Sequence, residues 1–207
     1  MTGHARNPLV VGVTGGIACG KSEAGRVLES MDFAVCDADH MAHDLMKKGT
    51  PVFRQVVDFF GTDILLADGE VSRAALGKEV FGNPAKREAL NRLVHPSVRA
   101  SLEEWIAQAR RSNRNAAVLV PLLFESRMES LGWDAIVCVS SSEEQVLERL
   151  GKRGLNHDEA RLRIGSQMPL EEKERKSNQV IQNTGSLKEF EQSVRETVNI
   201  IMAERVL

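Results

Sequence analysis

The chain has 207 residues, of which 42% are hydrophobic and 27% charged, and its formal net charge is −2. This length supports one sizeable apolar core, with or without an insertion. A net charge so close to zero argues against a protein whose whole surface binds nucleic acid. We therefore expect no nucleic-acid partner, and any phosphate site has to be a local cluster of cations.

The cysteines and the N-terminal segment predict the compartment. The chain has three cysteines, Cys19, Cys36 and Cys138. Because their number is odd and their spacing is not that of metal ligands, we expect free thiols in a reducing environment. Met1–Pro8 is short and polar, unlike a signal peptide, and no run approaches the ~18 apolar residues of a membrane span. We expect a cytoplasmic protein without a membrane partner, either a monomer or a weak homo-oligomer.

Short apolar runs alternate with helical patterns along most of the chain. The runs predict strands, at Leu9–Val13, Phe33–Cys36, Ala116–Val120, Ala135–Val139 and Val180–Ile181. Helices are predicted between and after them, at Ser22–Met31, 39–48, Glu143–Arg153 and Lys188–Ala203. Strands alternating with helices predict an α/β fold, here a five-stranded parallel sheet covered on both faces.

Two segments interrupt this alternation. Residues 49–112 contain only helical patterns, which predicts a helical insertion. Its helices are expected at Val52–Phe60, Arg73–Phe81, Lys86–Val94 and Ser97–Arg110, with His95-Pro96 separating the last two. Residues 150–177 are rich in Lys, Arg and Glu, a composition that fits a solvated helical hairpin or a mobile lid. The core is then expected at 1–48, 113–149 and 178–207.

A glycine-rich loop follows the first predicted strand and opens the first predicted helix. Gly15–Ser22 matches the phosphate-loop (P-loop) pattern G-x-x-x-x-G-K-[ST]. Glycines allow the backbone to turn its N–H groups toward phosphate, and the helix directs its positive end at the same anion. Lys21 is expected to neutralise the β- and γ-phosphates of ATP, and Ser22 to offer its hydroxyl to Mg²⁺. The fold class is therefore a P-loop NTPase core with a helical insertion and a helical lid.

The P-loop alone is compatible with two classes of protein, a small kinase and a nucleotide switch. The chain lacks the N-K-x-D base-reading element of GTPases, and Asp58–Gly61 matches D-x-x-G inside the helical insertion, where no switch strand is expected. Asp37 and Asp39 follow the second predicted strand, where the ligand crevice of an open α/β sheet lies. One of them could accept a hydroxyl proton or hold Mg²⁺ through water, although capping of the next helix explains one aspartate.

Several motifs, in order along the chain, together resemble the dephospho-CoA kinase family. The resemblance runs from about residue 9 to residue 190 and comprises Val11–Ser22, Asp37-Ala38-Asp39, Leu93–Pro96 with Arg99, Val120–Glu125, Gln167–Lys173 and Val180–Ser186. It implies transfer of phosphate from ATP to the ribose 3′-hydroxyl of dephospho-CoA, giving CoA and ADP. It also implies a core, a CoA-binding helical domain at 49–112 and a lid at 150–177.

The resemblance also implies roles for individual residues. Asp39 corresponds to the proposed catalytic base, and Arg149 to an arginine near the transferring phosphoryl group. The acceptor would be bound by Asp37, Asp39, Arg73, His95 and Arg99. The nucleotide would be bound by the loop and the adenine side, at Gly15, Gly16, Ile17, Ala18, Cys19, Gly20, Lys21, Ser22, Glu23 and Asn183. The family usually has an arginine where this chain has His43.

Simpler roles stay open for several of these residues. Arg149 could instead pair with Gln145 or Glu148 on its own helix, and His95 could be a buried histidine at a helix end. Cys19 is expected to be a small spacer, although a helix N-terminus can also activate a thiol. Another small-molecule kinase and a non-enzymatic ATP-binding module remain alternatives for the whole chain.

Overall fold

Five short strands form one parallel sheet in the computed structural model, which describes residues 7–205. They are β1 (Val10–Gly15), β2 (Ala34–Asp37), β3 (Ala116–Leu119), β4 (Ala135–Ser140) and β5 (Gln179–Gln182), in the spatial order β2-β3-β1-β4-β5. Every pairing is parallel. The central strands are buried along their whole length because helices cover both faces of such a sheet. The predicted α/β fold with a five-stranded parallel sheet is confirmed.

Nine α-helices and one 3₁₀ turn, Thr62–Ile64, complete the described part of the chain. The helices are α1 (Lys21–Ser30), α2 (Ala38–Leu45), α3 (Pro51–Phe60), α4 (Arg73–Val80), α5 (Pro84–Arg111), α6 (Glu143–Lys152), α7 (His157–Gly165), α8 (Leu170–Lys176) and α9 (Leu187–Glu204). Among the residues described, no helix combines the length and the apolar character needed to cross a membrane.

The chain divides into two compact units, each with its own internal contacts. The first unit holds the sheet and comprises the chain up to Asp37 together with Trp105 onward. The second unit, Ala38–Glu104, is helical. The helix α5 begins in the second unit and ends in the first.

Helices α1 and α9 pack against the sheet and against each other in the first unit. Val27 and Leu28 of α1 and Phe190, Val194 and Val198 of α9 are buried in one apolar cluster with the sheet. Burying each such side chain contributes about 1.5–3 kcal/mol. This cluster holds α1 against the sheet.

The helical unit has its own apolar centre, built from local signals. Thr50 caps α3 by accepting a hydrogen bond from the Phe53 amide at 3.0 Å, and Pro51 occupies the first helical position. Ser72 caps α4 in the same way through the Ala75 amide. Four apolar side chains of these elements are buried, namely Val52, Val56, Ile64 and Leu76.

The predicted break at His95-Pro96 is wrong, because α5 continues through Pro96. Proline lacks an N–H group, so the Arg92 carbonyl loses its helical donor, and the ring also crowds the preceding turn. The helix persists because it carries a buried apolar face at helical spacing on both sides of the proline, formed by Val94, Val98, Leu102, Ile106 and Ala109. Packing of this face outweighs the local penalty.

The end of β1 tolerates only glycine. A Cβ atom added to Gly15 would lie 2.1 Å from the Val139 carbonyl oxygen of β4, and φ of Gly15 is +143°. We expect Gly15→Ala to lower the free energy of unfolding by about 3 kcal/mol or more, because neither backbone can move without breaking strand pairing. Gly151→Ala is the matched control, since a Cβ atom there meets no other atom within 4 Å. This variant should raise the free energy of unfolding by about 0.5–1 kcal/mol. Urea titration measures both, and equal effects would contradict the expectation.

Candidate active site

The P-loop lies at the switch point of the sheet. β1 pairs with β3 on one side and β4 on the other, so a crevice opens at its carboxyl end, where Gly15 leads into the loop. The loop ends at Gly20, which adopts φ of +111° as the N-cap of α1. Lys21 and Ser22 then begin the helix, whose N-terminal N–H groups attract an anion. The predicted strand, loop and helix context of the motif is therefore present.

The side chains of the motif differ in exposure, from the exposed Ser22 to the buried Cys19. Lys21 Nζ donates hydrogen bonds to the Gly15 and Gly16 carbonyls at 3.0 and 2.7 Å. Ser22 is exposed, and Glu23 pairs with Arg26 at 2.8 Å. Cys19 is buried, and this burial raises the pKa of its thiol, so the thiol stays protonated. These features favour the expected spacer role for Cys19 over an activated nucleophile.

Arg149 of α6 contacts the P-loop directly. Its guanidinium donates to the Ala18 carbonyl at 3.1 Å, to Ser141 Oγ at 3.2 Å and to the Asn183 carbonyl at 3.0 Å. The two alternative partners on α6 are engaged elsewhere, Gln145 with Ser141 and Thr184, and Glu148 with Lys152. A permanent cation is thereby held against the loop.

Asn183 follows β5 and holds the same loop from its other end. Its side-chain amide donates to the Cys19 carbonyl at 2.8 Å. It also approaches Gly20 so closely that a Cβ atom there would lie 2.4 Å from Asn183 Nδ2. Arg149 and Asn183 therefore converge on the P-loop from two elements that are distant in sequence.

Gln167 and Lys173 were not predicted individually from residue chemistry. Gln167 Oε1 accepts a hydrogen bond from the Ile17 amide at 3.1 Å. Lys173 of α8 is fully buried and pairs with Glu125 at 2.8 Å. The composition of residues 150–177 does not distinguish this buried lysine from its exposed neighbours. The signal that could have found these residues was their place in motifs Gln167–Lys173 and Val120–Glu125.

The acceptor-side candidates lie on the elements that follow β2. Asp37 is the last residue of β2, and Asp39 is exposed in the first turn of α2. Arg73 is exposed at the start of α4, and its Nε donates to His43 Nδ1 at 3.4 Å.

His95 and Arg99 lie one turn apart on α5 and are both partly buried. Arg99 faces Glu103 on the following turn, at 3.8 Å. Burial lowers the pKa of His95, since removal from water disfavours the charged imidazolium. The earlier alternative of a histidine at a helix end is wrong, because α5 continues beyond it.

This sheet order, the loop after β1 and the cations around it define a P-loop nucleotide-binding protein of the small-kinase type. The dephospho-CoA kinase family model matches residues 9–189, and the chain belongs to that family. It is 42% identical to the dephospho-CoA kinase of Carboxydothermus hydrogenoformans over 93% of this chain and 92% of that protein.

Solved structures agree on the fold. The dephospho-CoA kinase from Campylobacter jejuni superposes with a TM-score of 0.71 at 29% identity, covering 95% of this chain and 98% of that one. A shikimate kinase from Acinetobacter baumannii, solved in complex with shikimate, reaches a TM-score of 0.58 at 12% identity, covering 97% and 96%. The second likeness shows only that the fold is shared.

The lowered pKa of His95 predicts how stability depends on pH. The unfolded chain takes up a proton at His95 near its ordinary pKa of 6.5, before the folded chain does. The free energy of unfolding should therefore fall as pH drops through and below that value. His95→Gln should make this fall shallower between about pH 8 and pH 5, measured by urea titration. The control is His157→Gln, because His157 is exposed on α7. An unchanged slope in His95→Gln would contradict the prediction.

Proposed function

We propose that this chain is a dephospho-CoA kinase that transfers the γ-phosphate of ATP to the ribose 3′-hydroxyl of dephospho-CoA, giving CoA and ADP. The observation that carries the proposal is the P-loop held by Arg149 and Asn183 in a chain of the dephospho-CoA kinase family. This reaction is the last step of coenzyme A synthesis. A cytoplasmic location and a monomeric or weakly oligomeric state remain predictions.

ATP would be bound by the loop residues Gly15–Ser22. Lys21 Nζ, which bonds the Gly15 and Gly16 carbonyls, would turn to the β- and γ-phosphates. Asn183 would line the adenine side, as the position of its segment after β5 suggests.

The residues present fit Mg²⁺. Ser22 offers an exposed hydroxyl in the first turn of α1, and hard oxygen donors suit this ion. Within residues 7–205 there is no group of three or more His, Cys, Asp or Glu that could hold a metal, and Mg²⁺ in kinases needs few protein ligands because phosphates and water supply the others. When bound, the ion would neutralise charge on the phosphate oxygens.

Phosphoryl transfer passes through a loose transition state, so positioning and charge neutralisation dominate the catalysis. Arg149 supports this requirement, because a guanidinium fixed to the Ala18 carbonyl can also face negative oxygens of the transferring group. We propose Lys21 and Arg149 as the catalytic cations and Asp39 as the base that accepts the hydroxyl proton.

The acceptor would be bound by Asp37, Asp39, Arg73, His95 and Arg99, and residues 49–112 would form the CoA-binding domain. Arg73 supports this because its exposed guanidinium offers donors for the phosphate groups of dephospho-CoA. Residues 150–177 would act as a lid that excludes water and thereby suppresses hydrolysis of ATP.

Substrate specificity tests the proposed function. We expect ADP release with dephospho-CoA, and at least about 100-fold slower release with adenosine, nucleoside monophosphates or shikimate, since the acceptor site must position one hydroxyl in line. A coupled ADP assay measures all four. Rapid turnover of another acceptor without turnover of dephospho-CoA would identify a different small-molecule kinase. ATP binding without any turnover would favour a non-enzymatic module.

The role of Asp39 is tested separately. We expect Asp39→Asn to lower kcat at least about 100-fold with little change in the KM for ATP, because the amide cannot accept the hydroxyl proton. Asp58→Asn, at an exposed position on α3, is the matched control and should stay within about twofold of the original kcat. A near-normal kcat in Asp39→Asn would remove Asp39 from the catalytic role.

A further inference from the structure

A buried lysine on α8 has two partners beside the P-loop. Lys173 has no exposed surface, and its Nζ lies 2.8 Å from Glu125 Oε1 and donates to the Pro121 carbonyl at 2.7 Å. An ammonium group is removed from water at a high cost unless it is paired and hydrogen-bonded. Such a pair keeps the two segments that carry it in one position relative to each other. Here these segments are the turn after β3 and the helix α8.

The same carboxylate oxygen fixes the residue next to Gln167. Glu125 Oε1 accepts a hydrogen bond from the Met168 amide at 2.9 Å. Leu170, at the start of α8, packs against the apolar cluster of the sheet. The chain between α7 and α8 is therefore anchored on the C-terminal side of Gln167 by one hydrogen bond and one apolar contact.

Gln167 uses this position to hold one peptide group of the P-loop. Its Oε1 accepts from the Ile17 amide at 3.1 Å, while Lys21 Nζ donates to the Gly16 carbonyl at 2.7 Å. The Gly16 carbonyl and the Ile17 amide belong to the same planar peptide unit and point in opposite directions. That unit is thus held at both edges, at one by Lys21 and by the Cys19 amide, which donates to the Gly16 carbonyl at 3.3 Å, and at the other by Gln167.

These polar contacts form a path that begins at Thr14 in β1 and ends at Ile17 in the loop. Thr14, the residue before Gly15, directs its hydroxyl to the Pro121 carbonyl at 3.4 Å, and Lys173 donates to that same carbonyl. From Lys173 the path continues through Glu125 and Met168 to Gln167 and returns to Ile17. The residues that precede and form the loop are therefore supported by one connected set of polar groups.

We propose that Gln167 is a positioning residue for nucleotide binding, which fixes the Gly16–Ile17 peptide plane and is itself held in place by the Glu125–Lys173 pair. Lys21 must release the Gly16 carbonyl to reach phosphate, and Gln167 at the Ile17 amide then keeps the peptide oriented together with the Cys19 amide at the Gly16 carbonyl. A loop ordered before the ligand arrives binds phosphate without the cost of ordering it. The inference rests on the proposed function only in assuming that the loop binds the phosphates of ATP.

The test compares ligands with and without phosphates. Gln167→Met keeps the size of the side chain and removes its hydrogen bonds. The Kd for ADP, measured by calorimetry, should rise about tenfold, while the Kd for adenosine, measured by competition, should change by less than about twofold. The matched control is Gln192→Met, because Gln192 is exposed on α9 and bonds Glu196 there. This control should leave both constants unchanged.

A second variant tests the support of Gln167. Replacing Glu125 with Leu and Lys173 with Met together removes the pair without leaving a buried charge, a change that proteins often tolerate. It should weaken ADP binding as Gln167→Met does, and Gln167→Met added to it should change the Kd by less than about twofold more. If Gln167→Met raises the Kd for ADP by the same factor in the double variant as in the original protein, the supporting role of the pair is overturned.

The outcomes separate this inference from the proposed function. An ADP Kd in Gln167→Met within twofold of the original would overturn the inference, as would an equal loss of ADP and adenosine binding. ADP binding needs no dephospho-CoA. If ADP binding depends on Gln167 but dephospho-CoA is not phosphorylated, the inference holds and the proposed function fails.

Discussion

The orientation of the P-loop backbone is the constraint on which the candidate active site depends. A loop that binds phosphate must present several of its backbone N–H groups to the anion, so carbonyl oxygens of the loop need partners elsewhere. The chain supplies such partners for four carbonyls. Lys21 bonds those of Gly15 and Gly16, Arg149 bonds that of Ala18, and Asn183 bonds that of Cys19. Three side chains thus maintain the polarity of the loop.

These partners come from distant parts of the chain, so the loop depends on the assembled sheet. Arg149 is on the helix after β4, and Asn183 follows β5. Both bind Ser141 at the end of β4, Arg149 through its guanidinium and Asn183 through its carbonyl. The parallel pairing of β1, β4 and β5 brings the carboxyl ends of these strands to one edge. An isolated segment of Gly15–Ser22 would lack this support.

The sequence predicted the sheet and the loop because both depend on local patterns. A short apolar run before G-x-x-x-x-G-K-S indicates a strand, a turn and a helix through residue spacing alone. Pro96 was misjudged because the local penalty of a proline is visible in sequence, whereas the buried face that overrides it needs the fold. Arg149 was uncertain and Lys173 was missed for a related reason, since their partners Ala18 and Glu125 are distant in sequence.

General P-loop chemistry explains the nucleotide side of the candidate active site, but it does not explain the acceptor side. P-loop contacts serve any kinase with this fold, and we propose that specificity for an acceptor comes from residues of the helical unit. There Arg73 Nε donates a hydrogen bond to His43 Nδ1 at 3.4 Å. This contact uses one of the three guanidinium nitrogens of Arg73, so the two terminal nitrogens keep their donors for other acceptors.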